Sequence, residues 1–458
     1  MKKISTLGTS NFSHFRHFYI KTMGCQMNDY DSDYLAQLLV NNGLSAVNSP
    51  DKADLILINT CTVRAKPEQK AYSFLGRMSS IKKGNPNLII GMVGCLAQMK
   101  GPELLKRFPQ LDLVIGPREL GRFQEILEEI DRHSGKIVAI NLDLAPPQPA
   151  PCKGYFHKRI TGHVSIMEGC NNFCSYCIVP YVRGREISRP PDDILAEAKN
   201  LLSEGIKEIT LLGQNVNSYL WEGEGKKWGF PALLHELGNL NGLLRLRFTT
   251  SHPKDLSNDL IHSFHNIKNL CPHIHLPFQA GSNRILKLMK RGYTRESYLE
   301  LIDKLRRINP DIAITSDVMV GFPGESDEDF ELTLDLIRLV EFDSLFSFKY
   351  SDRKGTFAEK MDGKIDEIVK TSRLTVLQDL QKKITLKRNK ALEGRQLEVL
   401  VEGSSKRGGQ LTGRTASHKV VNFISNNSQI GSLHTVTIKH SFLNSLWGEI
   451  VERKSVPV

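Results

Sequence analysis

Glu168-Gly169-Cys170-Asn171-Asn172-Phe173-Cys174-Ser175-Tyr176-Cys177 sets three cysteines in the spacing C-x3-C-x2-C. Three thiolates this close can ligate one four-iron cluster and leave its fourth iron without a cysteine, whereas ferredoxin-type runs supply a full set of four. An open iron can bind and activate a substrate. A structural zinc site needs four ligands and usually echoes one C-x2-4-C pair with a second. No second pair exists in this chain.

Three further cysteines share a position rather than a run. Cys25 lies in Lys21-Thr22-Met23-Gly24-Cys25-Gln26-Met27-Asn28, Cys61 in Ile58-Asn59-Thr60-Cys61-Thr62-Val63-Arg64, and Cys95 in Met92-Val93-Gly94-Cys95-Leu96. Each follows a short apolar run, residues 17 to 23, 53 to 59 and 88 to 94, that reads as a buried parallel strand. Ligands of open α/β sheets gather at the carboxyl ends of the strands, so these thiols can converge on a second metal site. Taken singly, each is more often a core thiol, because free cysteine is among the most buried residue types.

A chain of 458 residues with 40% apolar content is expected to hold two to four domains. Eight cysteines are sparse for a disulfide scaffold, and iron-sulfur ligation needs reduced thiolates, so a cytoplasmic location is expected. The first residues are polar with no apolar core of a signal peptide, and no later segment approaches the ~18 apolar residues of a membrane span. Net charge is +11, and residues 381 to 458 hold thirteen Lys or Arg against five Asp or Glu. That excess suits a polyanion, although the group Lys382, Lys383, Lys387, Arg388 and Lys390 reads equally as a solvated basic helix.

The expected fold class is α/β with a small β module at the end. Residues 1–15 read as an extension. Residues 16–134 alternate strands with amphipathic helices (30 to 42, 123 to 130), giving a parallel α/β domain. Residues 135–155 form a linker that contains the proline-rich stretch from Asn141 to Pro151, with Cys152 a free thiol at its end. Residues 156–388 offer strands at 163 to 168, 208 to 212, 244 to 249, 273 to 278, 312 to 320 and 344 to 350, with helices at 192 to 204, 295 to 308 and 327 to 340. Six βα-like units suggest a partial (βα)6 barrel, whose ligands sit at the carboxyl ends of its strands. The cysteine run follows the first of these strands. Gly213-Gln214-Asn215, Thr249-Thr250-Ser251-His252-Pro253, Gln279-Ala280-Gly281 and Gly321-Phe322-Pro323-Gly324-Glu325 close others, although glycine and proline also mark ordinary turns. His252, His273 and His275 read as hydrogen-bonded barrel histidines rather than metal ligands. Residues 389–452 switch to five short strands punctuated by glycine, an OB-like barrel of the kind that grips nucleic acid.

In this order the parts resemble the radical S-adenosylmethionine (radical SAM) methylthiotransferase family across nearly the whole chain, with a TRAM-like terminal domain. Gly24-Cys25-Gln26-Met27-Asn28, Asn59-Thr60-Cys61-Thr62-Val63-Arg64 and Phe248-Thr249-Thr250-Ser251-His252-Pro253 resemble the branch acting on isopentenyladenosine in tRNA. The sister branch for threonylcarbamoyladenosine and a non-enzymatic metal-stabilised RNA-binding protein are the alternatives. The resemblance implies two 4Fe-4S clusters, one on Cys170, Cys174 and Cys177 and an auxiliary one on Cys25, Cys61 and Cys95, with no catalytic side chains beyond these ligands. It further implies that S-adenosylmethionine contacts Tyr176, Gln214, Gln279, Gly321 and Glu325. Arg183, Arg185, Arg189, Ser251 and His252 are expected at the RNA. The implied partners are tRNA carrying isopentenyladenosine beside the anticodon and a one-electron donor protein, with no membrane, and the chain is expected to be a monomer.

Overall fold

Alternate residues of the N-terminal apolar runs face opposite ways, so a sheet built from them needs cover on both sides. A computed structural model describes residues 15–62, 65–132, 135–149, 151–157, 159–405, 408–425 and 429–451. Two units emerge: Met1–His157 with His163–Asn171 and Ile178–Arg189, and Lys158–Gly162 with Asn172–Cys177 and Pro190–Val458. This division departs from a single break near residue 156, and it passes through the cysteine run itself.

The first unit is built on a six-stranded sheet in the order Ser45–Ala46, His17–Met23, Leu55–Thr60, Ile89–Val93, Leu113–Ile115, Ile137–Ala139. Every neighbouring pair is parallel. Leu55, Leu57, Val93, Leu113 and Ile115 belong to one core cluster, while Ile56, Ile58, Ile90, Met92 and Val114 belong to another, one on each face. Helices Gln26–Asn41, Ala65–Gly84 and Phe123–Arg132 connect or follow the strands. Strand Ile137–Ala139 falls inside the range expected to be linker. Its three residues are too few to show a pattern beside the prolines that follow. Phe15, expected in the extension, is buried in the core; residues 1–14, like Val63 and Arg64, lie outside the described residues.

In the second unit, Glu208–Leu212 pairs in parallel with Arg245–Phe248, and His273–His275, Ala313–Val320 and Ser344–Lys349 form a parallel set. One isolated bridge, Leu246 to Leu270, runs between the two sets, which leaves the βα barrel partial, as expected. Helices Pro191–Ser203, Arg295–Ile308 and Asp327–Val340 lie where the helical spacing put them. The sequence pattern marks no hairpin here, and of the long helix before the terminal strands it marks only the basic end. The hairpin Leu220–Gly223 to Lys226–Gly229 turns on Glu224 and Gly225, both at positive φ; its four-residue strands, in which Trp221 faces Trp228, are too short to show an alternation. The 24-residue helix Glu367–Lys390 starts at Asp366, whose side chain accepts from Ile368 N–H. Its basic end is a solvated face. Lys382 pairs with Asp379, Lys387 with Glu341 and Arg388 with Asp343.

The last five strands, Gln396–Ser404, Leu411–Thr415, Val420–Ile424, Leu433–Ser441 and Leu446–Ile450, close into a barrel. Val399, Val401, Val421, Phe423, Val436, Ile438 and Leu446 fill it. The barrel is latched to the parallel strands of its unit by two buried arginines. Arg245 donates to the carbonyls of Arg414 (2.6 Å) and Glu398 (3.1 Å), and Arg247 to those of Ala416 (2.8 Å) and Thr415 (2.9 Å). Glu208, also buried, holds Arg247 at 2.9 Å. Removing one member of a buried ion pair leaves the other charge uncompensated, which costs about 3–5 kcal/mol. Glu208→Ala is therefore expected to lower stability in urea by about that much, followed by the fluorescence of Trp447 in the barrel. A loss below ~1 kcal/mol, the scale of an exposed pair, would show that the latch does not need its carboxylate.

Candidate functional site

Strand register decides where the first three cysteines fall. Met23 pairs with Thr60, and Asn59 with Val93, so three neighbouring strands end level. Cys25, Cys61 and Cys95 each follow within two residues. The strand order reverses between His17–Met23 and its neighbours, since the next strand in sequence, Ser45–Ala46, lies on one side and Leu55–Thr60 on the other. Such a switch point is where open α/β sheets place ligands.

Two asparagines and two glycines shape this edge. Asn28 Oδ1 accepts from Cys25 N–H (3.2 Å), while its Nδ2 donates to Asn59 Oδ1 (2.9 Å). Asn59 Nδ2 returns to Asn28 O (2.8 Å) and Ser32 Oγ (3.0 Å). Both asparagines are fully buried. A Cβ at Gly24 would overlap Asn28 Oδ1, and one at Gly94, which sits at φ +91°, would stand 2.5 Å from Asn59 Oδ1. The cysteine motifs thus carry their own scaffold. Sequence reasoning quoted Asn28 and Asn59 without assigning them a role; their places three residues after one cysteine and two before another were the available signal.

The thiols are chemically uneven. Cys25, exposed at the strand end, is lowered from 9.0 to about 5, foremost by its hydrogen bond with Cys61 and further by the Arg183 charge. Burial pushes Cys95 up to about 11, opposed by Arg183. Arg183 lies 3.3 Å from Cys95 Sγ through Nε. A lowered thiol and a nearby guanidinium favour the thiolate that metal ligation requires. None of the eight cysteines is joined in a disulfide.

Within the cysteine run, Gly169 sits at φ +84°, and a Cβ there would overlap the Arg185 carbonyl. Cys170 N–H donates to Gly184 O at 3.2 Å. In the second unit, Ser175 ties the loop down through N–H to Met289 O (3.0 Å) and Oγ to Leu288 O (2.9 Å). Arg291 NH1 stands 3.4 Å from both Cys174 Sγ and Tyr176 Oη. Burial, with the charges of Cys174 and Cys177, holds the Tyr176 phenol well above its ordinary range.

Strand ends of the second unit are locked to one another and leave polar atoms over. Asn217 and His252 exchange two hydrogen bonds of 2.8 Å, side chain to backbone in both directions. Asn215 Oδ1, Ser251 Oγ, His252 Nε2 and Gln279 Oε1 are buried and have no hydrogen-bond partner among the described residues. Interiors rarely leave such atoms unsatisfied, so this edge fits a polar ligand with several donors and acceptors. Gln279 (φ +65°) and Thr250 (φ +65°) hold left-handed backbone, as does Phe173 (φ +45°) in the cysteine loop, and strain of this kind collects at functional sites. Gln214 is half-buried. Glu325 accepts from Gly321 N–H (2.7 Å) and from Arg373 (2.7 Å), with Oε1 left over, and burial raises its carboxyl. The turn from Gly321 to Glu325 is therefore braced from within.

Two expectations need correction. Arg183 and Arg189 are 2% and 3% exposed and spend their guanidinium groups inside the protein, Arg189 on Tyr30 Oη and the Ser165 carbonyl. Neither faces RNA phosphates; of the three arginines only Arg185 is exposed. The histidine reading stands, since His273 and His275 both hydrogen-bond Thr315 Oγ1, at 3.2 and 3.0 Å. Among the described residues, no three His, Cys, Asp or Glu side chains close on a point as they would around a single ion. A four-iron cluster is a larger body than one ion, and its thiolates are spread over it.

On the terminal barrel, Gln410, Arg414, Asn422, His440, Phe442 and Trp447 line a groove. His440 stacks on Trp447 with ring centroids 5.8 Å apart. Aromatic platforms with polar neighbours are how such modules hold unpaired bases.

Three family models match in succession: the uncharacterized protein family UPF0004 over residues 17–116, the radical SAM superfamily over 164–337 and the TRAM domain over 390–451. Among solved structures, the radical S-adenosylmethionine methyltransferase TsrM from Kitasatospora setae, with cobalamin and a [4Fe-4S] cluster bound, matches at TM-score 0.54 and 15% identity, covering 73% of this chain and 75% of that one. That likeness concerns the fold. The fold and the cysteine run together define a radical SAM enzyme. Relatives named tRNA-2-methylthio-N(6)-dimethylallyladenosine synthase are 51% identical in Syntrophus aciditrophicus (95% of each chain) and 45% identical in Geobacter sulfurreducens (96% of this chain, 98% of the relative). The chain belongs to the radical SAM methylthiotransferase family, whose members are transferases using iron-sulfur clusters and S-adenosylmethionine.

The buried imidazole of His252 gives a pH test. Its Nδ1 accepts from Lys254 N–H, and burial lowers its pKa from 6.5 to about 2. The unfolded chain takes up this proton first, so the group's contribution to stability is present above pH 6.5 and is lost as pH falls below it. Between pH 6 and 4, stability should fall more steeply in the parent than in His252→Gln, by at most about 1.4 kcal/mol per pH unit. Parallel slopes in urea titrations at several pH values would contradict a neutral His252.

Proposed function

We propose that this chain methylthiolates carbon 2 of N6-(dimethylallyl)adenosine at position 37 of tRNA, giving 2-methylthio-N6-(dimethylallyl)adenosine. The observation carrying this reading is the second cysteine set: three thiols level at the switch point of one sheet, besides the C-x3-C-x2-C run, in a chain whose 51%-identical relative bears that activity's name. The C2–H bond of adenine is not acidic, so no side-chain base of ordinary pKa can take that hydrogen. Cys170, Cys174 and Cys177 would hold the cluster that reduces S-adenosylmethionine to yield a hydrogen-abstracting radical, and Cys25, Cys61 and Cys95 the cluster that supplies sulfur.

The protein's own part is binding, orientation and exclusion of water. Ser251 and His252, with unsatisfied buried atoms, are assigned to the RNA, and Gln279, whose buried Oε1 is also unsatisfied, and Tyr176 to S-adenosylmethionine. Gln214, Gly321 and Glu325 complete that set, with Glu325 bracing the turn. Arg185 and the groove of His440, Phe442 and Trp447 are assigned to tRNA. No helix among the described residues is long and apolar enough to cross a membrane. A cytoplasmic monomer served by a one-electron donor protein suits this chemistry.

Mass spectrometry of tRNA nucleosides from cells lacking the protein should show dimethylallyladenosine accumulating without its methylthio product. Loss of the methylthio group from threonylcarbamoyladenosine instead would assign the chain to the sister branch, and an unchanged profile would favour a non-enzymatic RNA-binding role. With purified protein under anaerobic conditions, Cys174→Ala should abolish reductive cleavage of S-adenosylmethionine, while Cys61→Ala should retain some deoxyadenosine formation without sulfur insertion. The opposite pattern would reverse the roles of the two cysteine sets.

A further inference from the structure

Each cysteine set has one buried guanidinium against a sulfur. Arg183 Nε–H donates to Cys95 Sγ at 3.3 Å. Its other arms are taken: NH1 reaches Asp31 Oδ1 (3.3 Å) and Glu168 Oε1 (2.8 Å), and NH2 reaches Asp31 Oδ2 (2.5 Å). Arg118 Nε holds the second oxygen of Glu168 at 3.4 Å, and Arg118 also donates to the carbonyls of Arg183 and Arg185. All four charged side chains are buried. Two arginines and two carboxylates leave this group without net charge, while Arg183 itself both sets its charge beside Cys95 and aims an N–H at the sulfur. The planar fork of arginine makes such aiming possible, and a lysine cannot reproduce it. Arg291 plays the matching part in the second unit, with NH1 on Cys174 Sγ (3.4 Å) and NH2 fixed by Pro277 O (2.9 Å).

We propose that Arg183 is a positioning residue that raises the reduction potential of the auxiliary cluster through its hydrogen bond to Cys95, with Asp31 and Glu168 holding the guanidinium in place. The inference rests on the reading that Cys25, Cys61 and Cys95 ligate a cluster. Reduction adds negative charge, part of which resides on the ligand sulfurs, so an N–H fixed on one sulfur stabilises the reduced state more than the oxidised one. Hydrogen bonds to the sulfurs are among the levers that set such potentials, and burial strengthens each of them. The same clamp joins two pieces of chain, because Asp31 lies on the helix that begins after Cys25 and Glu168 stands two residues before Cys170. Arg183 thus sets a cluster's surroundings, in place of the RNA contact expected of it.

The test is a redox titration of the cluster-loaded, full-length protein followed by electron paramagnetic resonance, with iron content measured alongside. Cys95→Ala identifies the auxiliary signal by removing it, and Cys174→Ala identifies the other. Arg183→Lys should lower the auxiliary midpoint enough to change the oxidised-to-reduced ratio at fixed potential by about tenfold, equivalent to ~59 mV for one electron, and leave the other midpoint in place. Arg291→Lys should do the converse. If Arg183→Lys does not retain iron, Asp31→Glu decides: the charge is kept but the hold on the guanidinium is displaced, and the auxiliary midpoint should fall by a smaller amount. Unmoved auxiliary midpoints, or equal shifts of both signals, would overturn the proposal. Survival of both signals in Cys95→Ala would instead overturn the ligand assignment beneath it.

Discussion

The pairing of Met23 with Thr60 and of Asn59 with Val93 is the constraint from which the first site follows. Parallel strands in this register end together, so cysteines placed one or two residues later lie along one sheet edge although tens of residues separate them. A slip of one residue would exchange the two faces of every strand, and the two apolar clusters of the sheet forbid it. Core packing therefore does the positioning that a metal site needs. The interlocked amides of Asn28 and Asn59, with Gly24 and Gly94 shaped around them, finish the geometry locally.

Buried charge recurs as a clamp in both units. In the first, Arg118 and Arg183 gather Asp31, Glu168 and the carbonyls of the segment after the cysteine run. In the second, Arg245 and Arg247, held by Glu208, fasten the terminal barrel to the strands of its unit. Arginine suits this work because one planar group can satisfy several carbonyls and carboxylates at once. The terminal barrel is on this account a fixed part of its unit. Among its described residues Arg395, Arg414, Lys419 and Lys439 are each engaged in an ion pair, which leaves the aromatic groove as its most distinctive surface.

Much of this was legible in the chain. Strand His17–Met23, helices Arg295–Ile308 and Asp327–Val340, and the five terminal strands follow their hydrophobic spacing to within a few residues, because apolar period and element length leave little choice there. That Cys25, Cys61 and Cys95 each follow the end of a neighbouring strand was legible from their shared place after apolar runs. Short elements were not: Ile137–Ala139 is three residues long, and each strand of the hairpin around Glu224 and Gly225 is four. Arginines misled most. A loop holding Arg183, Arg185 and Arg189 reads as surface by composition, yet two of the three are buried, since partners as distant in sequence as Asp31 and Tyr30 decide their burial.

The central claim is that one chain carries two clusters on two separate sets of three cysteines. Iron and sulfide analysis of anaerobically reconstituted protein tests it most directly. The account predicts about eight irons per chain, falling to about four when Cys25, Cys61 and Cys95 are all replaced by alanine and likewise when Cys170, Cys174 and Cys177 are. A parent protein that binds about four irons, all retained after loss of the first three cysteines, would contradict it.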